Sequence, residues 1–176
     1  MTRAFGRRTT VGAAALLLAA TIAVAAEQVK ENVSPVFGVR LPARYRQWQV
    51  VSVAHEAGAL NDIRVILGNE VAIKSLRGGR RIFPDGAKLA RVAWKLVPSE
   101  RNNAVFGRSQ SFVAGDPTNV QIAVKDSRRY AATGGWGYGQ FEQGKANPDA
   151  ALMETCFGCH RKLPETDDFV FTRYSR

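Results

Sequence analysis

Six stretches of this chain either alternate apolar with polar residues or are dense in β-branched and aromatic ones. They are "WQVVSVAH" (Trp48 to His55), "DIRVILG" (Asp62 to Gly68), "KLARVAWKLV" (Lys88 to Val97), "AVFGRSQSFVAG" (Ala104 to Gly115), "NVQIAVK" (Asn119 to Lys125) and "GWGYGQF" (Gly135 to Phe141). A two-residue period puts one side of a strand into a core and leaves the other to a second layer or to water. Turn signals such as "FPDG", "PSERNN" and "GDP" separate the stretches, so a mostly antiparallel sheet is expected. Three short helices interrupt it. Asn69 is suited to cap "EVAIKSLRG", Asp126 to start "SRRYAAT", and Pro148 to begin "PDAALMETCFGCH" as a first-turn residue. The fold class is α+β, a mainly antiparallel β-sheet with short helices, the last of them near the C-terminus and carrying both cysteines.

The first 26 residues read as a cleaved secretory signal peptide: a basic start with Arg3, Arg7 and Arg8, an apolar run, and small residues at the end. That run, Val11 to Ala26, is shorter than the roughly 20 residues a membrane helix needs, so no stable membrane span is expected after cleavage. Residues 27–176 then make one domain, long enough to bury a core without disulfide staples. Losing the three leader arginines lowers the formal charge from +10 to +7. The remaining excess is scattered, and the pattern matches no nucleic-acid-binding module, so nucleic acid is not expected as a partner. Export places the mature protein in the periplasm or outside the cell.

Both cysteines lie in Cys156-Phe157-Gly158-Cys159-His160, the spacing of a c-type haem attachment site. Cysteines three apart share one side of a helix, where their sulfurs can form two thioethers with the vinyl groups of one haem c. His160 follows directly and is the expected metal ligand. A thiol–disulfide site is the second reading, but it needs a thioredoxin-like unit around it, and only 16 residues follow His160. Structural zinc is the third and needs a fourth ligand, for which His55 alone remains among the histidines.

What faces the other side of the iron decides between two functions. Apart from Met1 the only methionine is Met153, three residues before Cys156 and therefore on the proximal segment. His55, at the end of a strand and before "EAGALN", has the setting of a surface residue. A five-coordinate iron is the resulting expectation, and an open position favours binding a small diatomic or nitrogen-oxide ligand. The alternative is a periplasmic electron-transfer cytochrome with a six-coordinate haem, His55 or a lysine supplying the sixth ligand. Either function needs a redox partner protein or a small ligand.

Taken in order, "YRQW", "FPDGA", "VAWK", "SFVAGDPTNVQIAVKDSRRYAATGGWGYGQF", "CFGCH" and "DFVFTRYSR" resemble the cytochrome P-460 family, which includes the β-type cytochromes c prime. The resemblance runs from about Tyr45 to Arg176. It implies an antiparallel β fold, a C-terminal haem c, a homodimer, and chemistry with nitrogen compounds: hydroxylamine oxidation in some members, nitric oxide binding in others. The oxidising members carry a lysine cross-linked to the porphyrin, and the matching position here is Arg91. Lys95 shares that strand face but lies about 13 Å further on. The family's pocket carboxylate falls at Gln121, an amide that can donate a hydrogen bond but cannot act as a general base at neutral pH. A hydroxylamine or nitric oxide oxidoreductase activity therefore stays undecided at the level of sequence.

Further residues enter as pocket alternatives. Arg64 is suited either to a haem propionate or to solvent, and Phe83, Phe106 and Phe112 to distal walls or to the core. Gly135, Gly137 and Gly139 alternate with Trp136, Tyr138 and Gln140, which suits either a bare face for a flat ligand or, the favoured reading, an aromatic core face backed by a tightly packed glycine face.

Overall fold

The computed structural model describes residues 32–175. The leader expectation at 1–26 lies outside the described residues. Six strands, β1 (Gln49–Glu56), β2 (Asp62–Gly68), β3 (Lys88–Pro98), β4 (Phe112–Lys125), β5 (Trp136–Glu142) and β6 (Lys145–Ala146), form one antiparallel sheet in sequential order. Each strand thus pairs with its chain neighbour, and short connections are enough.

Among the described residues, three α-helices lie between and after the strands. In α1 (Glu70–Arg77) the Asn69 side chain accepts the Ala72 N–H at 3.1 Å, as its capping position requires. In α3 (Ala150–His160) Asp149 accepts the Leu152 N–H at 3.0 Å. Asp149 is the cap there, so Pro148 stands one residue before it rather than in the first turn.

The middle of the chain departs from the expected pattern. "PSERNN" is not a turn: Ser99 caps α2 (Glu100–Phe106), which ends at Gly107 in the left-handed region. The expected strand over Ala104 to Gly115 therefore starts only at Phe112 and continues into "NVQIAVK" as one 14-residue strand. "SRRYAAT" forms no α-helix, only a 3-10 turn over Ala131–Thr133. Asp126 spends its side chain on the Arg128 and Arg129 N–H groups, tightening a turn instead of launching a helix.

Each sheet face has its own cover. On the arm face, Leu67, Ala90, Val92, Ile122 and Phe141 pack with Val39, Tyr45 and Tyr130 from the N-terminal arm and the β4–β5 connection. The bare glycines of β5 make this closeness feasible. A Cβ on Gly137 would stand 2.2 Å from the Tyr130 ring. On the opposite face, Leu89, Ala87, Trp136 and Tyr138 pack with Val51, Ala72, Ile73 and Phe83, and beneath Cys156, Phe157 and Phe169. We call this the α3 face. The C-terminal segment returns across it, with Ser175 N–H donating to Val51 O at 2.9 Å and Thr172 hydrogen-bonded to Ser52 through their hydroxyls. No helix among the described residues is long and apolar enough to cross a membrane.

Candidate functional site

The last turns of α3 bring the motif residues to the covered half of the α3 face. Cys156 is half-buried and Cys159 exposed, and neither is in a disulfide. Burial, with Cys159 nearby, pushes the Cys156 thiol above its usual pKa. The two thiols and His160 do not converge as a zinc site would require: no metal-holding group of three His, Cys, Asp or Glu is found among the described residues. Nor is the sequential antiparallel sheet a thioredoxin-like unit.

His160 is held on three sides. Its ring lies 4.8 Å from that of Tyr138 and 5.0 Å from that of Phe171, and Nδ1 is 2.7 Å from the Phe169 carbonyl oxygen. A carbonyl only accepts, so Nδ1 must carry the proton and Nε2 presents a lone pair. Burial lowers the pKa of the imidazole below its usual value, and the Phe169 hydrogen bond offsets part of that shift. A neutral imidazole with a fixed tautomer is the form in which histidine binds a metal. Tyr138 also has a buried hydroxyl that finds no hydrogen-bond partner among the described residues. Burial raises its pKa.

Beyond Tyr138, the α3 face turns polar. The register aligns Ser52, Ile66, Arg91, Gln121 and Gln140 in one row across five strands. Two residues along from that row on β3, β4 and β5 are Leu89, Ala123 and Tyr138, which lie under the motif. Arg91, the residue at the expected lysine position, therefore shares a face with the cysteine motif. Its Nη2 donates to Asp62 Oδ2 at 2.6 Å and its Nη1 to Asn119 Oδ1 at 2.6 Å. Burial and the neighbouring Arg64 lower its pKa, against which Asp62 pulls it back.

Arg64 is not a free solvent group, since it grips the same carboxylate through Nε at 2.8 Å. Lys95 sits at the exposed rim, its Nζ donating to Leu60 O at 3.2 Å. Gln121 donates to Gln140 Oε1 at 2.9 Å, and Gln140 donates in turn to Glu142.

Several expected pocket residues lie elsewhere. Phe83 is a core residue, its ring edge-on to Trp136 at 5.5 Å. Phe106 and Phe112 are exposed on α2 and at the start of β4. His55 pairs with Ile63, two residues from Val65 in the arm-face core, so it points to the wrong side of the sheet for a ligand opposite His160. Met153 is fully buried on α3 itself.

A cavity of about 720 Å³ is lined by Glu154, Phe157, Gly158 and Arg161, the side of α3 turned away from Cys156, Cys159 and His160. Sequence reasoning missed Asp62, Lys125 and Asp168. A carboxylate two residues from an arginine on one strand was a legible signal for the first; nothing local marked the other two.

A family model described as Cytochrome P460 matches residues 42–172. The chain belongs to this family. None of the curated proteins matches it. A cytochrome P460 binds haem, and the residues present fit such a group. Two thiols outside any disulfide are spaced three apart on one helix, beside an imidazole whose Nδ1 is hydrogen-bonded and whose Nε2 has no partner among the described residues. The polar row from Ser52 to Gln140 shares the face of the sheet on which that imidazole packs.

Proposed function

We propose that this member of the cytochrome P460 family is an exported monohaem c-type protein whose haem would bind a small nitrogen ligand such as nitric oxide. The Cys156 and Cys159 thiols would each add across a haem vinyl group, and His160 Nε2 would supply the protein's nitrogen ligand to the iron. The bound haem brings a redox-active iron able to take up a diatomic ligand. The observation that carries the reading is the His160 imidazole, with Nδ1 committed to the Phe169 carbonyl and Nε2 left as a donor.

Ligand binding is favoured over hydroxylamine oxidation by Arg91 and Gln121. A guanidinium delocalises its nitrogen lone pairs and stays protonated, so Arg91 is a poor nucleophile toward a porphyrin carbon. It donates hydrogen bonds instead. Gln121 offers an amide where proton abstraction would need a carboxylate. The mature domain at 27–176, a homodimer and a redox partner protein belong to the same proposal.

Optical spectra of the purified periplasmic protein test it. A red colour that survives denaturation reports covalent haem. A high-spin ferrous spectrum that shifts on adding nitric oxide or carbon monoxide reports the open position. A low-spin ferrous spectrum indifferent to both gases would overturn the reading in favour of six-coordinate electron transfer.

A further inference from the structure

Phe169, whose carbonyl holds His160, sits in a part of the backbone that non-glycine residues rarely adopt. Asp168 and Phe169 both have positive φ, +52° and +58°. Two successive left-handed residues persist only where surrounding contacts over-determine them.

Here those contacts converge on Asp168. Its Oδ1 pairs with Lys125 Nζ at 2.5 Å, and its Oδ2 accepts the Phe83 N–H at 2.9 Å. Its backbone carbonyl accepts the Trp136 indole N–H at 2.9 Å. Lys125 is tied in turn to Gly134 O at 3.0 Å and lies 5.2 Å from the Trp136 ring. Both members of the pair are almost entirely buried, with side chains 8% and 5% exposed.

The Phe169 ring fills the remaining space. It packs edge-on to Phe157 of the cysteine motif at 5.5 Å and lies so close to Gly134 that a Cβ there would come within 2.3 Å of it.

We propose that the buried Lys125–Asp168 pair is the positioning unit of His160: by locking the left-handed Asp168–Phe169 turn, it aims the Phe169 carbonyl at Nδ1 and so sets the ring's tautomer, orientation and donor strength. This rests on His160 being the haem ligand. A merely structural ion pair would be dispensable to the iron. A positioning pair is not, because a hydrogen bond at Nδ1 gives imidazole partial imidazolate character and strengthens what Nε2 donates. The burial of two opposite charges also fits a role in specificity, since such pairs add little to stability over an apolar core.

The test is resonance Raman spectroscopy of the ferrous holoprotein, following the iron–histidine stretch. Wild type shows that mode. In D168N, which keeps the side-chain shape but removes the charge, it moves to lower frequency and the reduction potential rises.

Because D168N leaves Lys125 buried without its partner, the double variant K125M/D168N is measured beside it. Removing both charges recovers folding while the mode stays shifted. A folded variant of either kind with an unshifted mode and an unchanged potential overturns the positioning role. Absence of the mode in wild type is a different result: it refutes an iron held by His160 alone with an open position, and with it the reading on which the proposal rests.

Discussion

Replacing Asp62 by asparagine tests the polar half of the α3 face at the residue that organises it. The Asp62 side chain is 3% exposed and the two arginines it joins are 15% exposed each. Arg64 contributes hydrogen bonds at 2.8 and 2.9 Å and Arg91 one at 2.6 Å, all to the one carboxylate. In Asp62→Asn one oxygen becomes an NH2 group, which turns a donor toward a guanidinium donor and leaves two largely buried cations sharing one neutral acceptor where they shared a charge, with Asn119 still bonded to Arg91 and Glu56 more distant from Arg64.

Breaking a buried ion pair from one side costs about 3–5 kcal/mol. The arginines keep some contact with water, so the low end, about 3 kcal/mol, is expected. For a domain of this size that is a fall in Tm of roughly 6–12 °C. The assay is urea unfolding of the holoprotein with the slope m held in common. Glu56→Gln is the control: Glu56 meets Arg64 only at 3.6 Å and is half-exposed, so it should change stability by less than about 1 kcal/mol. An Asp62→Asn protein within about 0.5 kcal/mol of wild type would refute the claim that this carboxylate holds the two arginines in place.

Other outcomes follow from the same geometry. Gly134→Ala puts a Cβ at φ +63° and into the Phe169 ring, so a loss of about 3 kcal/mol and a changed ferrous spectrum are expected in denaturant titration and optical spectroscopy. His55→Ala should leave the spin state of the iron unaltered in the ferrous spectrum, since His55 is exposed on the arm face and, among the described residues, hydrogen-bonded to Asn61 alone, at 3.4 Å. Digestion of the holoprotein should release peptide carrying haem c without a third bond to the chain, with Arg91 recovered unmodified by mass spectrometry. Hydrogen bonds from the Ser127 side chain and then its backbone hold the Asp85 carboxyl below the usual range. A depressed carboxylate stabilises the fold above its unfolded value of about 3.9, and that contribution is lost as pH falls through the folded value. Asp85→Asn should therefore flatten the acid limb of the Tm-versus-pH curve while lowering the plateau at neutral pH.

Much of the fold was legible because it depends on local pattern. The alternation in "WQVVSVAH", "DIRVILG" and "GWGYGQF" marks β1, β2 and β5 to within a residue or two, and Asn69 stands where the first helix begins. The errors fell where local and tertiary preferences compete. "PSERNN" is rich in turn formers, yet Ser99 and Gly107 cap it as a helix while the Asn103 side chain accepts the Gln110 and Ser111 N–H groups and donates to the Ser111 carbonyl, just before β4. "SRRYAAT" has helical composition, but Tyr130 is drawn into the space over Gly137, and the turn it enters cannot also be helical.

The sequence alone determined the chemistry brought to the site: two cysteines three apart, a histidine beside them on one helix, an arginine where the family's lysine is expected and an amide where its carboxylate is expected. Spacing along a helix or strand is a short-range property, so it survives without knowledge of the fold. Only the tertiary structure decided which groups meet across the chain. Sheet register put His55 on the face away from His160 and Arg91 on the same face, beside a carboxylate 29 residues away in sequence. The returning C-terminal segment joined Asp168 to Lys125, 43 residues apart, next to the Phe169 carbonyl that is hydrogen-bonded to His160. Burial and opposite charge select such partners only after the sheet and the returning C-terminal segment have brought them together, and no local pattern encodes that encounter.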